Sequence, residues 1–122
     1  MFLNVSHTKM PVFSVARQLV KSANLIIRQF PDYEKFALSQ QIRKAAVSVY
    51  LNIAEGASRK SAAERGRFYE IARGSIVEID AALDLALDLN YCDGEDMQAI
   101  SEPLVSCFNQ LSNIIKTIHG HQ

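Results

Sequence analysis

The sequence predicts an all-α protein: an antiparallel up-down-up-down four-helix bundle that assembles into a ring-like homo-oligomer. Three observations predict it. Apolar residues recur at three- and four-residue spacing through four long segments, and nowhere is there a period-two alternation long enough for a strand. The connections hold Pro, Gly, Ser and Asp and are short, which favours neighbours that reverse direction. One segment, residues 40–56, is apolar on two faces, one more than an isolated bundle requires of each helix.

Residues 1–10 read as an N-terminal tail, residues 11–118 as the bundle and residues 119–122 as a C-terminal tail. The helices are expected at about 11–29, 35–55, 62–89 and 94–118. The first begins at Pro11, which is tolerated in a first turn because its missing N–H would be unbonded there anyway, and Phe30-Pro31 stops it. Its core stripe is Val12, Phe13, Ala16, Leu19, Val20, Ala23, Ile26, Ile27 and Phe30, and Arg17, Lys21, Asn24 and Arg28 stand opposite.

In the second helix Leu38, Ile42, Ala45, Ala46, Val49 and Ile53 make the core stripe. Val47, Tyr50, Leu51 and Ala54 lie off it and are expected to face another subunit, leaving water mainly the line Gln41, Lys44, Ser48, Asn52 and Glu55. Gly56 is placed just past the helix end, where a left-handed backbone costs Gly least. Ser61 and Glu64 form a capping box that opens the third helix, a rod of roughly 40 Å at 1.5 Å per residue. Gly66 and Gly74 inside it cost helix propensity, and Gly74-Ser75 is expected to admit a close backbone approach by another helix. Asn90 to Gly94 makes the last turn, Asp93 caps the fourth helix, and Pro103 is expected to kink that helix or divide off a short first piece.

The 122 residues, 48% of them hydrophobic, suffice for one domain that buries a core without disulfides or metals. Cys92 and Cys107 are too few for a disulfide framework and too far apart for a Cys-x-x-Cys pair, so a reduced, cytoplasmic protein is expected. The first residues hold no apolar run of signal-peptide length, and eighteen consecutive apolar residues occur nowhere, so no membrane span is expected.

The formal net charge of zero hides an asymmetry. Residues 1–75 carry twelve Lys or Arg against five acids, an excess of seven positive charges, and residues 76–122 carry one Lys against eight acids, an equal negative excess. A positive flank from helices 1 and 2 meeting a negative flank from helices 3 and 4 is the head-to-tail pattern that closes into rings.

Two segments carry a resemblance. Gln41-Ile42-Arg43-Lys44-Ala45-Ala46-Val47-Ser48 followed by Asn52-Ile53-Ala54-Glu55-Gly56, and then Phe68-Tyr69-Glu70-Ile71-Ala72-Arg73-Gly74-Ser75 with Glu78, resemble the signature of a bacterial four-helix-bundle family encoded in intervening sequences of 23S rRNA genes. The likeness spans most of residues 11–118. It implies a homopentamer, because family members and the related accessory protein of diversity-generating retroelements assemble that way, and it implies a reverse transcriptase or another protein as a partner. Carried over residue by residue, it marks Ser48, Asn52, Glu55, Gly56, Gly74, Ser75 and Glu78. Their expected role is structural: a helix end, small residues at a crossing, and hydrogen bonds between helices 2 and 3. Pro103 departs from the family's continuous last helix.

Catalysis finds no positive support in the residues. Asp80, Asp84 and Asp88 recur every fourth residue, but helical carboxylate metal sites also use Glu-x-x-His pairs, and the chain has none. A solvated or subunit-facing acidic stripe is the expectation, with a carboxylate metalloenzyme as the alternative. His7, His119 and His121 lie near the termini, and Ser48 and Ser75 lack a Gly-x-Ser-x-Gly context. No catalytic residue, cofactor or metal ligand is assigned.

Binding has more behind it. Arg17, Lys21 and Arg28 run along helix 1, Arg43 and Lys44 sit on helix 2, and Arg59, Lys60, Arg65, Arg67 and Arg73 crowd the loop and the start of helix 3. Such a set suits the backbone of RNA or DNA, with poor sequence specificity because no aromatic stacking row accompanies it. The same pattern also fits ordinary surface charge. The sequence therefore points to a non-catalytic oligomeric scaffold or accessory protein that engages RNA or DNA, or else to a purely protein-interacting scaffold whose basic and acidic flanks pair between subunits.

Overall fold

Pro11 opens the first helix at the position where its ring costs nothing, and the chain then builds four long helices: α1 (Pro11–Ile26), α2 (Leu38–Ser58), α3 (Ala62–Asp88) and α4 (Gln98–Gly120). The computed structural model describes residues 2–3, 5–34 and 37–120. Short 3-10 turns at Ser6–Lys9, Ile27–Gln29 and Asp32–Glu34 complete the elements, and no strand occurs among the described residues. The packing partners form a closed circuit: α1 touches α2, α2 touches α3, α3 touches α4, and α4 returns to α1.

The core is the stripe that the apolar spacing marks. Leu19 of α1, Ile42, Val49 and Ile53 of α2, Ile79 of α3, and Ile100, Cys107 and Leu111 of α4 are all fully buried. Each large aliphatic side chain removed from water contributes about 1.5–3 kcal/mol before chain entropy is charged against it. Ser22 and Ser39 are also buried, and the apolar spacing alone does not mark them.

Two helix ends are satisfied by devices that differ from the expected ones. The α2 helix runs through Gly56 to Ser58, so Gly56 is a buried helical residue and not a left-handed cap; no glycine among the described residues has a positive φ. What fixes glycine there is space: a Cβ would stand 2.8 Å from Cε1 of Tyr69 and 3.1 Å from Cβ of Phe68 on α3. Gly74 shows the reverse. It is exposed with nothing within 4 Å of a Cβ position, so no helix approaches it closely.

Among the described residues α2 begins at Leu38; the expected start at about residue 35 falls on Lys35 and Phe36, which lie outside them. Its first free N–H groups are met by Glu34, a buried carboxylate from the preceding 3-10 turn, whose Oε2 accepts from Leu38 N at 2.8 Å and from Ser39 N at 3.4 Å. At the start of α3, Ser61 Oγ accepts from Glu64 N at 3.1 Å, the forward half of the expected box.

The α3 helix stops in a left-handed residue, Asn90 at φ 61°. Tyr91 N donates to Ala86 O at 2.9 Å and Asn90 N to Leu87 O at 3.0 Å, the paired bonds of a Schellman ending. Asp93 and Asp96 then accept from each other's backbone N–H at 2.8 and 3.0 Å. They cap a turn that precedes α4, which itself begins at Gln98, four residues later than expected. Pro103 sits buried within α4, which continues unbroken past it to Gly120, taking in His119 and Gly120 that the sequence places in the tail.

Candidate nucleic-acid interface

One end of the bundle gathers positive charge because of how the helices meet there. The three residues Arg59–Ser61 join α2 to α3, so the end of one and the start of the other share this end. Tyr69 Oη lies 3.9 Å from Met10 Sδ, which brings the start of α1 to it, and a Cβ on Gly66 would stand 3.5 Å from Ile118 Cγ2, which brings the last turns of α4. Lys9 and Lys116, both exposed, accordingly lie toward the same end as Arg59, Lys60 and Arg67.

The ring of Phe68 organises that cluster. Arg59 and Arg67 place their guanidinium carbons 4.9 and 5.0 Å from its centroid, each held by the electron-rich ring face. Arg59 also pairs with Glu55 at 3.3 Å on the exposed surface, a contact worth ~0–1 kcal/mol. Lys60 and Arg67 have no carboxylate within 4.0 Å among the described residues. The sequence marks Phe68 only as part of a family segment and not as a site residue, although its place directly after Arg67 is a signal that could have found it.

Two of the predicted cations are occupied instead. Arg65 is half-buried and donates through Nη1 to the carbonyls of Lys60 at 2.8 Å and Arg59 at 3.3 Å, tying down the turn. Arg73 is half-buried and reaches Ser112 Oγ of α4 at 3.3 Å. The remaining predicted cations are exposed along the sides: Arg17, Lys21 and Arg28 on α1 and its 3-10 extension, Arg43 and Lys44 on α2. Arg17 donates to Tyr50 Oη at 3.3 Å and lies 5.8 Å from the Phe13 centroid.

The match to known families decides what kind of protein this is. A family model described as 23S rRNA-intervening sequence protein matches residues 8–113. The chain belongs to that family. Among curated proteins, none matches the chain.

The residues that this family resemblance marks sit mainly at the α2–α3 contact. Ser75 Oγ and Ser48 Oγ are 2.9 Å apart, and Asn52 Nδ2 donates to Ser48 O and Ser48 Oγ at 2.9 and 3.1 Å. Ser48 and Asn52 are therefore half-buried against α3, which corrects their placement on a water-facing line. Glu55 holds Arg59, Gly56 lies under Tyr69, and Glu78 is exposed on α3. The hydroxyls of Ser48 and Ser75 meet each other, a contact that ties α2 to α3.

The second apolar face of α2 is partly covered within the chain. Tyr50 stacks on Phe13 with centroids 4.4 Å apart, and Ala54 is half-buried beside the N-terminal turn. Val47 and Leu51 remain open, at 39% and 57% exposure.

Charge also divides differently from the expected flanks. The first half of α3 carries Arg65, Arg67 and Arg73 beside the acids Glu64 and Glu70, a small positive excess, and its second half carries only acids, Glu78, Asp80, Asp84 and Asp88, so net charge changes along the helix as well as between helices. Asp80, Asp84 and Asp88 are exposed, and among the described residues no three His, Cys, Asp or Glu side chains form a group that could hold a metal. Burial pushes the Cys107 thiol up to about 12 and also raises Tyr69, where the nearby Arg65 charge opposes it. No helix among the described residues is long and apolar enough to cross a membrane.

Proposed function

We propose that this protein is a non-catalytic scaffold that grips the backbone of RNA or DNA with the basic end of its bundle, as one subunit of a ring-like homo-oligomer in the cytoplasm. The observation that carries the reading is the convergence of Arg59 and Arg67 on the Phe68 ring, with Lys60 exposed in the same turn and Lys9 and Lys116 toward the same end. Phosphate affinity grows with the number of cations that reach the backbone, and a ring repeats the set in every subunit. An antiparallel up-down-up-down course supports the convergence. Support for opposite directions in α2 and α3 comes from Ser48 meeting Ser75 while Gly56, farther along α2, lies by the earlier Phe68 and Tyr69.

Titration of a labelled RNA and a labelled single-stranded DNA at several salt concentrations tests it. The expected result is binding at low salt that weakens steeply as salt rises. In an Arg59→Glu, Arg67→Glu variant the logarithmic slope should fall by about 0.7 for each phosphate the protein no longer neutralises. No binding at low salt, or binding that this variant leaves unchanged, ends the reading.

A second reading is a scaffold that contacts protein alone, its opposite charges pairing between subunits. The change of net charge along α3 favours it. It is the outcome if the ring forms and no nucleic acid binds.

A further inference from the structure

Of the apolar surfaces that remain open on the described chain after the core is filled, two carry opposite charge at their edges. One is the outer face of α2, where Val47 and Leu51 stand exposed one turn apart, with Lys44 exposed one turn before Val47 on the same line. The other is a groove of about 250 Å³ between α3 and α4, floored by Ile76 and Leu104 and walled by Val77, Val105 and Phe108. Val77 and Val105 are more than half exposed, Phe108 is 38% exposed, and Asp80 lies on the rim. Asp84 follows Asp80 by one turn and is exposed.

We propose that the α2 outer face of one copy docks into the α3–α4 groove of a second copy. This rests on the oligomer named above and adds which surface meets which. Charge selects the occupant. The ridge carries Lys44 at one end of its apolar pair, and the groove carries Asp80 and Asp84 beside Val77. A ridge laid in with its direction opposed to α3 sets Lys44 against Asp80 while Val47 lies against Val77, because both pairs are three residues apart. The contact is therefore heterologous, and a chain of such contacts closes into a ring where the rotation permits.

The decisive experiment measures mass by sedimentation without nucleic acid, which separates it from the basic-end reading. Val47→Asp removes the ridge and leaves the groove; Val105→Asp removes the groove and leaves the ridge. Both sites are exposed, so far-UV circular dichroism of each variant is expected to match the parent. The parent should be a closed oligomer, each variant alone a monomer, and an equimolar mixture a dimer of one copy of each. Lys44→Glu and Asp80→Lys should each weaken association by about tenfold, with the double variant recovering most of the affinity. A monomeric parent overturns the inference. So does a mixture that stays monomeric, or a Val105→Asp variant that still self-associates.

Discussion

Gly56 lies against Tyr69 so closely that a methyl group on its Cα would stand 2.8 Å from the ring. Tyr69 is only 3% exposed and hemmed in by the α2–α3 contact, so the ring has little room to turn aside. Helix propensity alone would favour Gly56→Ala by about 1 kcal/mol, yet overpacking a filled contact costs about 1–3 kcal/mol. The expected net effect is a loss of about 1 kcal/mol. Gly74→Ala has no such contact and is expected to gain about 1 kcal/mol. Urea denaturation of the two variants should move the midpoint in opposite directions, and equal shifts would show that the close approach is not what holds glycine at 56.

Glu34 caps a helix from outside it. Its carboxylate meets the backbone N–H groups of Leu38 and Ser39 at the positive end of α2, and it is 7% exposed. Replacing it with Ala strands those donors, at an expected cost of about 1–2 kcal/mol in thermal or urea unfolding. Glu34→Gln keeps an acceptor and should lose less. If both variants unfold at the parent midpoint, the cap contributes nothing.

Arg65 and Arg67 are two residues apart and do different work. Arg65 spends its guanidinium on the carbonyls of Arg59 and Lys60, whereas Arg67 lies exposed over Phe68. Arg65→Ala is expected to cost about 1 kcal/mol of stability. Arg67→Ala should leave stability within about 0.5 kcal/mol and weaken RNA or DNA binding at low salt. Parallel unfolding and binding curves for the pair check the division of roles.

Cys107 is completely buried in α4 and Cys92 partly exposed in the preceding turn, both as free thiols. A maleimide or disulfide reagent at neutral pH should therefore modify Cys92 first and Cys107 only on unfolding. Burial holds Cys107 protonated up to about 12, above the ordinary value of 9.0. Below pH 9 the thiol is protonated in both states and its contribution is fully present. As pH rises from 9 toward 12 the unfolded chain ionises first, and stability falls by about 1 kcal/mol per pH unit. Cys107→Ala should flatten that part of the profile; an unchanged slope would assign it to Tyr69 and Tyr91, which burial also raises.

Where the sequence and the structure part company, the cause is physical in each case. Periodicity locates the four helices because a core-facing stripe is a local property of the chain. Gly56 reads as a cap because a cap glycine and a close-contact glycine look alike until Tyr69 is brought against one of them. Ser48 and Asn52 look solvated because polar side chains usually are, and the hydrogen bond that Ser48 accepts comes from Ser75, twenty-seven residues away on α3. Within the basic set, local order does not distinguish Arg65, held by carbonyls, from Arg67, resting on an aromatic ring.

The amino-acid sequence by itself determined the all-α class, the core stripes, the Ser61 cap and the family likeness, since each depends on residues within a few turns of one another. Only the tertiary structure decided which cations stay free, why Gly56 must lack a side chain, and that apolar surface remains on α2 and between α3 and α4. Those outcomes depend on what a distant helix brings alongside, and packing is a property of pairs of helices that no single stretch of chain contains.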